Sequence, residues 1–273
     1  MALLVAALLT SLMLGRSLGC VAMLPEIHLG PIVLQTFGIS FALAFLASGA
    51  TMARRLTELG KPPDWAYEMV FAALIGGLVG SRLDYMLQNW DKVSNDVFGN
   101  LFSGSGLVWF GGLLGGAIGV CIWAWRRDWL GWALLDAAAV PLSIGYAVGR
   151  IGCQVSGDGD YGTSSNLPWA MSYPDGTVPT THEVHPTPVY ETLTMGLVAL
   201  LLWRLRDRVA PGVLFGIYLV LAGIERLLVE IIRRNDSVVA GLTLPQLVSI
   251  GLILLGSGLL VSRRDALRPA AAA

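Results

Sequence analysis

Gly149-Arg150-Ile151-Gly152-Cys153-Gln154-Val155-Ser156-Gly157-Asp158-Gly159-Asp160-Tyr161-Gly162 closes a long apolar run with an arginine and then a loop of glycine and aspartate. The apolar run before it, about residues 130–150, has the length of a membrane-crossing helix, for which about 20 apolar residues suffice. Arg150 therefore stands where a charge is expensive, and an expensive charge marks a site by default. Gly157, Gly159 and Gly162 allow tight turns. Asp158 and Asp160 supply carboxylates to orient an arginine or accept a proton.

The same apolar pattern recurs on both sides of this stretch. The chain has 273 residues, of which 55% are hydrophobic and 14% charged. Spans are expected at about 31–50, 66–87, 106–125, 130–150, 187–203, 212–232 and 243–262. The fold class is an all-α integral membrane protein with about seven transmembrane helices and a small extracytoplasmic head loop. A membrane β-barrel would show short alternating strands instead. Residues 1–22 read as a leader-like or extra segment, 23–262 as the transmembrane domain with 152–186 as its head loop, and 263–273 as a cytoplasmic tail. A net charge of −1 gives no reason to expect nucleic acid. Cys20, Cys121 and Cys153 have neither disulfide nor metal-ligand spacing. His182 and His185 beside Glu183 make no metal set either, so no metal or cofactor is expected.

Orientation follows from the basic residues, because cytoplasmic loops collect lysine and arginine. Eleven of the eighteen (Arg54, Arg55, Lys61, Arg126, Arg127, Arg204, Arg206, Arg208, Arg263, Arg264 and Arg268) fall on one set of connections. That places the C-terminus inside and the 152–186 loop outside the cytoplasmic membrane. Arg82, with Tyr85 behind it, then shares the outer half with Arg150 and Arg226. On the sixth span Arg226, Glu230 and Arg233 are spaced i, i+4 and i+7, one helix face. In lipid such a face turns inward. Guanidinium forks match phosphate oxygens, and lipid headgroups are the nearest phosphates. His185, Tyr190 and Glu191 open the fifth span at the same boundary, where Pro186 and Pro188 suit a helix entrance. The glycines of the second and third spans have the small-xxx-small spacing of a packing face.

Together these stretches resemble the bacterial prolipoprotein diacylglyceryl transferase family. The resemblance rests on Gly149-Arg150-Ile151-Gly152 with its acidic loop, on His185-Pro186-Thr187-Pro188-Val189-Tyr190-Glu191, and on Arg226 through Arg233. Gly80-Ser81-Arg82-Leu83-Asp84-Tyr85, Gly106 through Gly112 and Phe37-Gly38-Ile39 extend it in order over roughly residues 23–262.

The resemblance implies transfer of a diacylglyceryl group from phosphatidylglycerol to the lipobox cysteine of prolipoprotein signal peptides. A thioether forms and glycerol phosphate leaves. The implied partners are phosphatidylglycerol, those signal peptides and membrane lipids. Arg150 would hold the phosphate, with Arg226, Arg233 and Arg82 in support and Glu230 orienting them. His185 or Asp158 would be the base. Tyr85, Tyr161, Gly162, Tyr190 and Glu191 would shape the headgroup pocket. The chain departs from the family at Cys153, where many members have Asn, at Phe110, where many have His, at Phe37, where many have Tyr, and in its longer acidic loop. Two other readings fit the same residues: a relative that moves another lipid or modifies another acceptor, and a lipid-binding or transport protein without chemistry.

Overall fold

The computed structural model describes residues 23–93 and 108–263. The expected leader at 1–22, most of the tail, and Gly106 and Leu107 lie outside the described residues. In chain order the elements are β1 (Glu26–Leu29), β2 (Ile32–Gln35), α1 (Thr36–Glu58), α2 (Trp65–Gln88) and α3 (Trp90–Val93). Next come α4 (Trp109–Arg126), α5 (Trp132–Ser156), β3 (Met171–Tyr173), β4 (Thr180–Val184), α6 (Thr187–Leu205), α7 (Val213–Glu230) and α8 (Leu244–Ser262). Seven of the described helices are long, in the order the apolar runs predict.

Three boundaries differ from expectation. The first span is expected to start near residue 31, but residues 26–35 form an antiparallel hairpin turned at Gly30, whose φ is +64°. The glycine supplies the left-handed turn, and the flanking Ile32 and Val33 suit strands. The fourth helix is expected to end at Arg150, yet it runs to Ser156. Gly152 is there for close approach rather than for a loop: a Cβ on it would meet the Ser40 side chain at 2.5 Å. The helix of the sixth span, α7, ends at Glu230, so Arg233 follows the helix instead of sharing its face.

The chain forms two compact units, divided within α1 and α5. The unit of residues 49–138 is built on α2 and α4. Their glycines face one another: a Cβ on Gly80 would lie 2.3 Å from the Gly111 carbonyl oxygen, and one on Gly115 would lie 2.2 Å from that of Gly76. Backbones this close gain dispersion contacts that lipid does not offer. At one end of this unit Trp65, Trp123 and Trp129 cluster, and Glu68 accepts from Trp123 Nε1 at 2.7 Å and pairs with Arg127. Gly80→Leu is therefore expected to cost about 1–3 kcal/mol or more by overpacking. Thermal unfolding in detergent reads this as a melting point lower by several degrees. Gly196→Ala in α6, with open space around it, serves as the tolerated comparison.

In the other unit Ala139, Val140 and Ala147 of α5 pack with Met195, Val198 and Leu202 of α6 and with Leu214 of α7. Outside that core, leucines such as Leu197, Leu254 and Leu255 are each 67% exposed. Such a surface suits lipid rather than water. Four helices (α1, α2, α5 and α8) are long and apolar enough to cross a membrane. The helices α6 and α7 carry the buried charges described next. Between α5 and α6 the head folds on Met23, Tyr161, Met171, Tyr173 and Val184, with β3 antiparallel to β4.

Candidate active site

Chain direction brings the charged residues together. The C-terminal turns of α5 and α7 and the first turns of α6 meet at one end of the unit. Arg150 comes from α5, Glu191 from α6, and Arg226 and Glu230 from α7. Three of the charges suit their helices, the two arginines lying toward negative C-terminal ends and Glu191 toward a positive N-terminal one, whereas Glu230 closes α7 at its negative end and relies on its own partners.

Glu191 is the centre. Its side chain is 0% exposed. Its Oε1 accepts from Tyr146 Oη at 2.7 Å and from Arg226 Nη1 at 3.1 Å. Its Oε2 lies 3.3 Å from Arg150 Nε and 3.5 Å from Arg233 Nη1. One carboxylate thus gathers three guanidiniums. Two further carboxylates complete the balance. Asp160 accepts from Arg150 Nη1 with Oδ2 and from Arg233 Nη2 with Oδ1. Glu230 pairs with Arg226 Nη2 at 2.9 Å, while its other oxygen takes Asn235 Nδ2 and Thr243 Oγ1, both at 2.7 Å. Thr243 is also the N-cap of α8, in a reciprocal capping box with Gln246, so a helix start anchors Glu230. Arg233 does not need the helix face expected for it, because the turn after α7 carries it to Asp160 and Glu191.

Arg150 also lies over the Tyr146 ring at 4.9 Å, one helical turn back, and its Nη1 is 3.7 Å from Cys153 Sγ. The donor atoms of Cys153, Asp158 and Asp160 lie within 4.8 Å of one another. The guanidinium is the cation among them. In the head, burial pushes the Asp158 carboxyl up, and the neighbouring Asp160 charge adds to this. For Asp160 burial acts in the same direction, but Arg150 and Arg233 outweigh it and hold the carboxyl low. Asp158 is therefore the stronger base of the two.

The other expected residues are placed as follows. His185 Nδ1 is 3.4 Å from Tyr190 Oη, which accepts from Trp169 Nε1 at 2.8 Å. Tyr161 belongs to the head core, stacked on Tyr173 at 4.8 Å. Gly162 allows the head to meet the end of α7: a Cβ there would sit 2.6 Å from the Ile232 carbonyl oxygen, and its own N–H donates to the His185 carbonyl at 2.8 Å. Arg82 and Tyr85 belong to the other unit, where the guanidinium stacks over the ring at 5.0 Å. Tyr146 and Glu225 were missing from the expected set. Tyr146 stands i−4 from Arg150, a spacing that signals a shared face. Glu225 is 5% exposed in α7, and its Oε1 makes no hydrogen bond among the described residues.

A family model described as prolipoprotein diacylglyceryl transferase matches residues 26–262, nearly the whole described chain. The chain belongs to this family. A phosphatidylglycerol–prolipoprotein diacylglyceryl transferase of Rhodospirillum centenum is 32% identical over 253 residues, covering 86% of this chain and 89% of that protein. One of Chromohalobacter salexigens is 32% identical over 254 residues, covering 88% and 92%. One of Clostridium tetani is 27% identical, covering 83% and 94%. Membership in the prolipoprotein diacylglyceryl transferase family, together with the four long apolar helices, makes this a multi-pass helical membrane protein.

Proposed function

We propose that the chain transfers the diacylglyceryl group of phosphatidylglycerol to the thiol of a lipobox cysteine in prolipoproteins. The observation that carries this reading is the convergence of Arg150, Arg226 and Arg233 on Glu191. The thiolate sulfur attacks the glyceryl carbon that bears the phosphate ester. A C–S bond forms, the C–O bond breaks, and its electron pair goes to the departing phosphate oxygen. Negative charge grows on that phosphate, and fixed guanidiniums stabilise it where it grows. Their carboxylate partners keep them oriented before substrate arrives, so little reorganisation is needed at the reacting moment.

Only the thiolate is nucleophilic, so a base must take the thiol proton. Asp158 fits this role better than His185. It is the raised carboxyl beside the Arg150–Asp160 pair, whereas His185 is engaged with Tyr190. Cys153 lies buried beside Arg150 and is a neighbour, not the acceptor. The basic connections support a cytoplasmic C-terminus and an extracytoplasmic head, which puts the cluster at the outer leaflet. Residues 23–262 are the transferase domain in this reading, with 1–22 preceding it as a leader-like segment. Signal peptides carrying a lipobox cysteine and phosphatidylglycerol are the substrates.

The test is direct. Purified protein in vesicles with labelled phosphatidylglycerol and a lipobox peptide is expected to yield diacylglyceryl peptide and glycerol phosphate in equal amounts. A cysteine-to-serine peptide is expected to yield neither. Lipid exchange between vesicles with no modified peptide would count for a transport or binding role instead.

A further inference from the structure

Arg234 stands apart from the cluster. Arg150, Arg226 and Arg233 are each ion-paired with carboxylates inside the protein. No carboxylate pairs with Arg234 among the described residues. Its guanidinium lies over the Tyr161 ring, 4.5 Å from the centroid. Tyr161 stacks on Tyr173 with an interplanar angle of 16°, and its hydroxyl donates to the Val178 carbonyl at 3.0 Å. Tyr173 Oη in turn donates to Gln154 Oε1 at 3.0 Å. The platform under Arg234 is held from both sides, so the cation is presented with little freedom to lose on binding.

Beside it is a cavity of about 290 Å³ lined by Gly159, Asp160, Tyr161, Arg233, Arg234 and Asn235. That is the small end of ligand cavities. Two guanidiniums face one carboxylate in this lining, and both oxygens of that carboxylate are already bonded to Arg150 and Arg233. The Arg233 side chain is 8% exposed, with its buried Nη1 lying 3.5 Å from Glu191 Oε2. The wall carries two guanidiniums to one carboxylate and is net positive.

We infer that this cavity binds a phosphomonoester and, resting on the transfer reading, that its occupant is the released glycerol phosphate. Phosphatidylglycerol carries one charge on its phosphodiester. Breaking the C–O bond leaves a monoester with a charge of about −1.5 to −2 at neutral pH. Arg234 supplies the additional cation for the additional charge. It gives the leaving group a place next to Arg233, away from the lipid.

Binding of glycerol phosphate to the full chain in phosphatidylcholine nanodiscs, followed by calorimetry or by phosphorus NMR, tests the inference. Wild-type protein is expected to bind it, and Arg234→Gln to bind it roughly tenfold more weakly, as loss of one charge-assisted contact implies. Arg234→Lys is expected to fall between, keeping the charge and losing the stacked fork. Arg234 is exposed, so these variants are expected to elute as the wild type does. No binding by the wild type, or equal binding by Arg234→Gln, overturns the inference. Inorganic phosphate binding as tightly as glycerol phosphate, with the same dependence on Arg234, overturns the product assignment. With transfer assayed in parallel, Arg234-dependent binding without transfer keeps the phosphomonoester site and sinks the transfer reading; transfer without binding does the reverse.

Discussion

Arg150→Ala is expected to lower diacylglyceryl transfer roughly 10³-fold or more while the protein still accumulates in the membrane. Removing one preorganised donor to a developing oxyanion costs about 10²–10³ in rate, and a guanidinium offers a fork of donors. The structural loss is smaller because Arg150's partners are shared. Asp160 keeps Arg233, and Glu191 keeps Arg226, Arg233 and Tyr146. Asp160 is also 31% exposed, so water can take up the vacated oxygen. Arg150→Lys is expected to recover little, because a point charge cannot serve Asp160, Glu191 and a phosphate from one planar fork. Transfer rates per mole of purified, monodisperse protein give the measurement. Wild-type rates in Arg150→Ala would remove the phosphate role. A protein that fails to accumulate would make Arg150 a structural residue.

Glu191→Ala is expected to behave in the opposite way and lose the folded protein. Glu191 is fully buried and is the carboxylate that three guanidiniums share. Removing one partner of a buried ion pair costs about 3–5 kcal/mol, because the charge left behind is uncompensated. Here three cations lose their common partner, and none of them is more than 19% exposed. The carboxylate is worth more as an organiser than any one arginine is as its guest. Glu191→Gln keeps the shape and can still accept from Tyr146. It is expected to fold with a lower melting point and to transfer at least tenfold more slowly, because neutral oxygen holds the guanidiniums less firmly. Thermal unfolding and transfer assays on the same preparations separate the two effects. A Glu191→Ala protein with wild-type stability and activity would show that the cluster is not organised from this residue.

The parts readable from sequence were those set by local spacing. Apolar length alone placed the seven long helices. The i, i+4 spacing of Arg226 and Glu230 predicts a shared face, and the two are 2.9 Å apart. The same rule applies to Tyr146 and Arg150, so Tyr146 was within reach. What spacing cannot show is pairing across the chain. Glu191 reads only as a carboxylate near a helix entrance; that it meets Arg150, Arg226 and Arg233 depends on three helix ends converging. The choice between Asp158 and Asp160 is set by Gly159, whose φ of +94° turns the loop so that Asp160 faces the arginines. Gly152 misleads because a glycine needed for close helix approach looks, in sequence, like one needed for a loop. The hairpin at 26–35 hides for a similar reason: its apolar strands merge with the apolar helix that follows.

The central claim is that the guanidiniums gathered on Glu191 hold the phosphate of the lipid substrate. An experimental structure of the protein with phosphatidylglycerol bound tests it most directly. The expected result is headgroup phosphate within hydrogen-bonding distance of Arg150, with Arg226 or Arg233 as a second contact. A headgroup bound elsewhere, with Arg150 still closed on Asp160 and Glu191, would contradict it.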